Sequence, residues 1–453
     1  MSHRAPFKNY IKSLFLLPLF CFLGSGSFGQ KAWTLQECIE YALDNNITIK
    51  QSEISTEIAD VNFTQSKLAL LPTVNGSSSY SYNFGRSIDP YTYNFTDQEI
   101  QSGNFSLNGN LNVFNGFQLQ HALSQSKYEY MAGRENLSKI KNDIALNVAA
   151  AYLQVLYGRE TIKAANERLE SAQQTQSRTS IMVNAGSMAQ GNLLDSEAAL
   201  AAEELNVINS ENQLQSDMIS LTQLLELRST DGFSVVDPTY ELPDQSSMVL
   251  TPDQIYATSL QVLPEFRASE FNLKSAEKGL SYAKGGRYPR LSMFGSMSTG
   301  YSNYTRRLTG DLVPFNDQLS ENYNEVIGVS LSIPIFNSWA TESNIQRSKL
   351  NLENVKYSDQ LTKNQVYKSI VQAHADANAA LKRFGATEKA SIANKEAAVY
   401  AQKKYDVGML SSIEFLNVRN NTSKAESDFL QAKYDLIFRI KVLDFYMGKP
   451  LSF

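Results

Sequence analysis

Apolar and polar residues alternate with a period of two in four short stretches of this chain. After Pro72, one parity carries Val74, Gly76, Ser78, Tyr80, Tyr82 and Phe84, and the other Thr73, Asn75, Ser77, Ser79, Ser81 and Asn83. Phe105, Leu107, Leu111 and Val113 alternate with Ser106, Asn108, Asn110 and Asn112. Later, Leu291, Met293, Met297 and Tyr301 face Ser292, Ser296 and Ser298, and Ile327, Val329, Leu331, Ile333 and Ile335 face Ser330 and Ser332. Such alternation predicts strands with one apolar and one polar face. Their expected bounds are 73–86, 101–113, 290–304 and 322–335.

Between these pairs lie tracts that read as helix. There is no proline between Pro90 and Pro238, nor between Pro334 and Pro450, and proline is nearly excluded from helix interiors. Both tracts are rich in Ala, Leu, Gln, Ser and Lys, which suits extended helices. The two tracts belong to a repeat. A shift of 217 positions lays Thr34, Leu43 and Pro72 over Thr251, Leu260 and Pro289. A shift of 222 lays Gly186 over Gly408, and Asn192-Leu193-Leu194-Asp195 over Glu414-Phe415-Leu416-Asn417. The difference falls between the paired strands, where a loop can absorb it. The organisation read from this is a first repeat over 30–227, a linker over 228–250, a second repeat over 251–448 and a tail over 449–453.

The predicted arms run from about Asn115 to Ala185 and into the corresponding stretch of the second half. At 1.5 Å per residue, roughly 70 residues make a helix near 105 Å long. Return helices are expected over Ala189–Leu227 and Ser411–Met447, so the hairpin tips fall near Gly186 and Gly408. Single helices over Thr34–Leu71 and Pro252–Ala283 complete each hairpin by end-on stacking. Pro72 and Pro289 mark the helix-to-strand corners, because proline removes a donor and biases the residue before it away from the helical region.

Two-faced strands attached to arms with no covering layer suit a transmembrane barrel, lipid outside and water inside. Tyr80, Tyr82, Tyr91, Tyr93, Tyr301, Tyr304 and Tyr323 cluster where an interfacial aromatic girdle belongs. Four strands cannot close a barrel, and open edges in hydrocarbon cost several kcal/mol per unpaired group. Several protomers must therefore share one barrel. About twelve strands are needed before a lumen opens.

Composition adds an address. His3, Arg4, Lys8 and Lys12 precede the apolar run Leu14–Leu23, and Ser27-Phe28-Gly29 supplies small residues for cleavage before Gln30. Residues 1–29 read as a signal peptide, too short in their apolar run to span a bilayer. Its removal takes away three positive charges and moves the net charge from −5 to about −8, with no basic patch for nucleic acid. Cys38 is then the one remaining cysteine and reads as a small buried apolar residue. Gly24, Gly26 and Gly29 match a dinucleotide motif by letter only, since no βαβ unit surrounds them. No Walker loop, HExxH or paired-cysteine motif occurs. His121 and His374 do not superpose in the repeat. No catalytic residue, cofactor or metal site is expected, and the chain does not read as an enzyme.

Thr34-Leu35-Gln36-Glu37-Cys38-Ile39 through Asn45-Asn46, Leu71-Pro72, Tyr288-Pro289, Leu331-Ser332-Ile333-Pro334-Ile335-Phe336 and the doubled tips resemble, in order, the TolC family of outer-membrane factors. The resemblance covers essentially the whole mature chain. It implies a mixed α and β fold in which long antiparallel helical hairpins, forming a periplasmic α-barrel, join a transmembrane β-barrel of four strands per protomer. It further implies a homotrimer in the outer membrane, in contact with its lipid. That trimer would be the exit duct of a tripartite efflux or type I secretion system, together with a periplasmic adaptor and an inner-membrane transporter. In the family's pattern, carboxylates line the periplasmic constriction. That role carries to Glu414 and to Asn417, where the acidic residue is replaced, with Asn192 and Asp195 as first-half counterparts. The tips Ala185-Gly186-Ser187 and Val407-Gly408-Met409 are the expected adaptor contact, being farthest from the barrel. The residues also admit another class, a long-helix scaffold or adhesin of the envelope without channel activity, which needs no alternation in its strands.

Overall fold

The computed structural model describes residues 32–88, 93–97, 99–236 and 245–450. The expected signal peptide, Tyr91, part of the 228–250 linker and the last three residues of the tail lie outside the described residues. In chain order come β1 (Ala32–Trp33), α1 (Leu35–Asn45), α2 (Ile47–Leu68), β2 (Thr73–Asn83), β3 (Ser87–Ile88), β4 (Phe95–Thr96) and β5 (Ile100–Phe114). The first arm is α3 (Gln118–Asn184), returning as α4 (Gln190–Leu224), and β6 (Ser234–Val235) and α5 (Ser246–Val249) lead to the second half. There follow α6 (Pro252–Val262), α7 (Pro264–Gly285), β7 (Arg290–Ser302), α8 (Phe315–Glu321), β8 (Asn324–Ser332), α9 (Ala340–Asp406) and α10 (Ser412–Tyr446).

The repeat is carried through to helix length. Both arms, α3 and α9, have 67 residues, and both return helices, α4 and α10, have 35. An arm of that length spans about 100 Å. Each half opens with a capping box, in which a threonine side chain accepts from the backbone three residues on and the side chain there accepts from the threonine N–H. Glu37 N donates to Thr34 Oγ1 at 3.2 Å and Thr34 N to Glu37 Oε2 at 2.9 Å; Thr251 and Gln254 make the same pair.

The single helix expected over Thr34–Leu71 is two helices, and so is its counterpart. Asn46 leaves the helical region, with ψ 128°, and caps α2 by accepting from Thr48 N at 2.9 Å. In the second half Pro264 holds Leu263 extended, with ψ 132°, for the steric reason that applies to any residue before proline. The break serves the stacking: Asn46 Nδ2 donates to Leu224 O at 3.1 Å, joining the end of α4 to the start of α2.

Four strands form one antiparallel sheet in the order β2-β5-β7-β8. Its register carries the alternation across all four strands. Val74, Tyr80, Tyr82, Phe105, Leu107, Leu111, Met293, Met297, Tyr301, Ile327, Val329 and Leu331 fall on one face. Ser and Asn dominate the other, with Phe294 as an exception that spreads its ring over Gly328, where an added Cβ would lie 2.4 Å from the ring. Val113 departs from the expected parity. A bulge between Asn112 and Phe114 places Phe114 opposite Leu291 and leaves Val113 as the extra residue, the usual consequence of two residues facing one. Three of the four strands are shorter than expected, while β5 (Ile100–Phe114) is one residue longer at each end than the expected 101–113. β2 stops at Asn83 rather than 86, and β8 covers Asn324–Ser332, leaving Ile333 and Ile335 outside the ladder. Pro72 and Pro289 each immediately precede a strand, β2 and β7.

The helices repeat the strand order. α2 packs on α3, α3 on α7 and α7 on α9; further down, α4 packs on α3, α3 on α10 and α10 on α9. The buried core sits at the waist, where the return helices meet α1 and the start of α2 in one half and α6 in the other. There Cys38, Ile49, Val148, Tyr152, Leu156, Leu221 and Ile437 form one cluster, and Ile255, Ile370, Leu436, Ile440 and Leu443 another. Burial pushes the Cys38 thiol up to about 12, so it stays a neutral thiol. β1 and β6 pair in parallel against the waist, and Tyr152 OH donates to both Trp33 O and Val236 O.

Strand-to-arm corners use two left-handed residues in succession, Gly116-Phe117 and Ser338-Trp339. At Gly116 (φ +66°) an added Cβ would lie 2.2 Å from Gly285 O, whereas at Gly186 (φ +74°) nothing lies within 4 Å. Gly186→Ala therefore meets only the backbone penalty of about 1–2 kcal/mol, while Gly116→Ala adds overpacking of about 1–3 kcal/mol. Thermal unfolding of the detergent-solubilised variants should show a clearly larger drop in midpoint for Gly116→Ala; equal drops would contradict the close approach.

Candidate functional site

The far ends of the arms are built from two matching turns. α3 ends in a Schellman motif: Ser187 N donates to Met182 O at 2.9 Å and Gly186 N to Val183 O at 2.9 Å, with Gly186 supplying the left-handed residue. Ser187 Oγ also donates to Met182 O, at 2.8 Å. α9 ends the same way, Met409 N reaching Lys404 O and Gly408 N reaching Tyr405 O at φ +75° for Gly408. Ala185 and Val407 are the helix caps, and Val407 and Met409 stand exposed at 68% and 78%. The turns thus offer apolar side chains to any partner that reaches them.

The two return helices start differently. α10 begins at Ser411 with a capping box, Glu414 N donating to Ser411 Oγ at 3.3 Å while Ser411 N donates to Glu414 Oε2 at 3.1 Å. The first-half counterpart Ala189 has no side-chain cap, and Asn192 stands where Glu414 stands. The Glu414 carboxylate is exposed, and the Ser411 backbone N–H, then the Ser411 hydroxyl, hold its pKa below the ordinary carboxylate value. The Asp195 side chain reaches beyond its own helix: it accepts from Ser412 Oγ at 2.6 Å and so ties α4 to the first turn of α10. Asn417 is exposed on α10.

Several residues at this end carried no signal in the sequence reading. Tyr405 and Phe415 stack at 4.6 Å with an interplanar angle of 11° and are buried with Ala401. Thr179 and Tyr405 share a hydrogen bond at 3.5 Å, and Arg178 Nη1 pairs with Asp406 Oδ1 at 2.8 Å, joining α3 to α9. Arg419 donates to Arg168 O at 3.2 Å across α10 and α3. Burial lowers the Arg419 pKa, and the nearby Glu203 carboxylate opposes that effect. Ionic and hydroxyl contacts therefore hold the two hairpins together within one protomer, while the aromatic stack joins α9 to α10. Among the described residues no group of three or more His, Cys, Asp or Glu is placed to hold a metal ion. No described helix is long and apolar enough to cross a membrane.

A two-faced sheet continued by equally long helical hairpins, with small exposed turns at the far end, defines an outer-membrane channel architecture. The family described as outer membrane efflux protein matches residues 38–226 and 255–449, and the chain belongs to that family. Outer membrane efflux protein BepC of Brucella suis is 24% identical over 418 residues, 89% of this chain and 83% of that protein. Outer membrane protein TolC of Vibrio cholerae is 22% identical, over 94% of this chain and 93% of that one. Among solved structures, VceC of Vibrio cholerae superposes with a TM-score of 0.76 at 15% identity, covering 92% of this chain and 97% of VceC. The CmeC outer membrane channel of Campylobacter jejuni gives 0.75 at 18% identity, over 98% and 94%. The protein resides in the outer membrane, and its family is one of channels.

The capping box makes the first turn of α10 sensitive to acid. Glu414 has a folded pKa lowered from 4.5. Its contribution is therefore complete above that value and is lost as pH falls through the lower folded value. Protection of the 411–418 amides, read as exchange relative to the intrinsic rate at each pH, should fall once the pH drops below the ordinary carboxylate range. In Glu414→Gln, which keeps an acceptor for the Ser411 N–H, that acid step should disappear. Persistence of the step in the variant would assign it to another carboxylate.

Proposed function

We propose that this chain is one of three identical protomers of an exit duct, conducting solutes passively outward through a barrel and helical tunnel that share one axis. The observation that carries this reading is the sheet. Its apolar face suits lipid, its Ser/Asn face suits water, and its edge strands β2 and β8 need partners from further copies. Three copies supply twelve strands, about the number at which a lumen opens. The edge helices support the same closure. α2 exposes Ile47, Ile54, Val61 and Leu68 at a spacing of seven, and α9 exposes Leu350 and Tyr357 at the same spacing, the repeat of helices that pack side by side.

The tips complete the reading. Around a threefold axis the three Glu414 carboxylates form one acidic ring at the periplasmic mouth, which attracts cations and repels itself. Asn417, three residues further along α10, adds no charge to that ring. Asn192 and Asp195 belong to the first-half hairpin, and the Asp195 carboxylate also ties that hairpin to Ser412. The exposed turns 185–187 and 407–409 receive a periplasmic adaptor, through which an inner-membrane transporter delivers its cargo. An envelope scaffold of long helices would need neither the two-faced strands nor the acidic ring.

Purified protein inserted in a planar bilayer should give discrete single-channel currents with cation preference, and Glu414→Gln should reduce that preference by a factor of two or more, on the order of what removing a charged ring at a constriction does. Absence of current from a correctly assembled protein would support the scaffold. Ser187→Cys and Met409→Cys should crosslink to a periplasmic adaptor in whole cells. Export and assembly undisturbed by bulky charged residues at both positions would place the adaptor contact elsewhere.

A further inference from the structure

β8 is too short to finish the sheet. It pairs with β7 only from Arg290 to Ser298, whereas β7 continues to Ser302 against β5. The free upper edge of β7 is closed by α8. The Gln318 side chain imitates a strand there: its Oε1 accepts from Ser302 N at 2.8 Å and its Nε2 donates to Ser302 O at 2.9 Å. Asn322 Nδ2 adds a bond to Gly300 O at 2.7 Å. Phe315 meets the ring of Tyr301, on the apolar face of the sheet, at 5.1 Å. α8 therefore stands at the β8 edge of the protomer, in line with the sheet, at the end of the strands remote from the arms.

Apolar side chains on and beside α8 remain exposed within the protomer. Leu312, Phe315 and Tyr323 are 54%, 45% and 51% exposed. Beyond the upper end of β2, the opposite edge strand, Phe84 and the paired strands β3 and β4 present a second set: Phe84, Ile88 and Phe95 at 77%, 51% and 67%. Both sets lie beyond the same end of the sheet. In any closed ring of identical protomers the β8 edge of one meets the β2 edge of the next, so the two sets are brought together by the seam that already joins the copies.

We propose that α8 and the segment before it are the docking surface for the paired strands β3 and β4 and the upper end of β2 of the neighbouring protomer. The outer rim of the barrel is thereby sealed by apolar contacts between copies, where strand pairing runs out. This rests on the ring closure proposed above. The occupant is a second copy rather than lipid, because the surface is continuous with the seam between β8 and β2 and both of its halves sit on edge elements. Such contacts exclude water from the unpaired top of the seam, which would otherwise be a side leak from the lumen.

The test is disulfide trapping in the full-length protein in outer membranes. Phe84→Cys or Phe95→Cys is combined with Leu312→Cys or Phe315→Cys, all at exposed positions where the substitution costs little folding energy. Cys38, buried at the waist, stays out of reach of the oxidant. The expected result is an oxidant-dependent ladder of dimer and trimer bands for at least one double variant and none for the single variants. Native mass spectrometry of the same preparations reports the ring independently. A trimer whose paired cysteines never link and instead react with a lipid-soluble maleimide would overturn the proposal in favour of a lipid-facing patch. A trimer whose unlinked thiols react only with a water-soluble maleimide would overturn it in favour of solvent. A monomer would remove the ring closure itself, and the proposal with it.

Discussion

Backbone hydrogen bonding at the two edges of one four-stranded sheet is the constraint on which the molecule depends. The sheet offers an apolar face to lipid, and lipid offers nothing to the free N–H and C=O groups of β2 and β8. Further copies are the remedy that a four-stranded protomer has available. The order of the helices then follows, because α2, α3, α7 and α9 continue the strands β2, β5, β7 and β8 and keep their sequence side by side. A wall that curves to close at the level of the strands imposes its curvature on helices attached in the same order. Under the proposed ring closure, the helical tunnel is an extension of the barrel by another kind of secondary structure.

Equal arm lengths place both turns at one level, since α3 and α9 each hold 67 residues and α4 and α10 each hold 35. The same backbone solutions recur at matching positions. Gly116 and Ser338 are both left-handed, as are Phe117 and Trp339, Gly186 and Gly408, and Glu226 and Gly448. A serine and a glutamate thus accept a conformation that glycine adopts more cheaply, because the corner or helix end requires it. Against so regular a frame, the differences between halves stand out. Ser411 and Glu414 cap α10 where Ala189 and Asn192 leave α4 uncapped, so the capping carboxylate of the tip belongs to one hairpin of each protomer.

Much of this frame was legible in the sequence, for physical reasons that can be named. Period-two alternation survives translation into structure because the pleat puts successive side chains on opposite faces, whatever the neighbours. Proline-free tracts and repeated glycines located the arms and turns. The missed features come from contacts distant in sequence. The break at Asn46 reads as mid-helix until Leu224 is seen to need a donor. Val113 continues the parity by eye, yet the bulge depends on how β5 meets β7. α8 has no periodic signature in seven residues, and its role comes from Gln318 replacing a strand. At the tips, the turn residues were found by spacing, but Tyr405 with Phe415 and Arg178 with Asp406 pair between residues that spacing does not connect.

The central claim is that the two faces of the sheet meet different solvents. Single cysteines placed in turn along β7 from Ser296 to Thr299 and along β8 from Val329 to Ser332, in protein embedded in lipid, test it directly by their reaction with a membrane-impermeant maleimide. The expected labelling has a period of two: Ser296, Ser298, Ser330 and Ser332 positions labelled from the lumen, and Met297, Thr299, Val329 and Leu331 positions shielded. Uniform labelling of both parities, or labelling of the apolar parity alone, would contradict it.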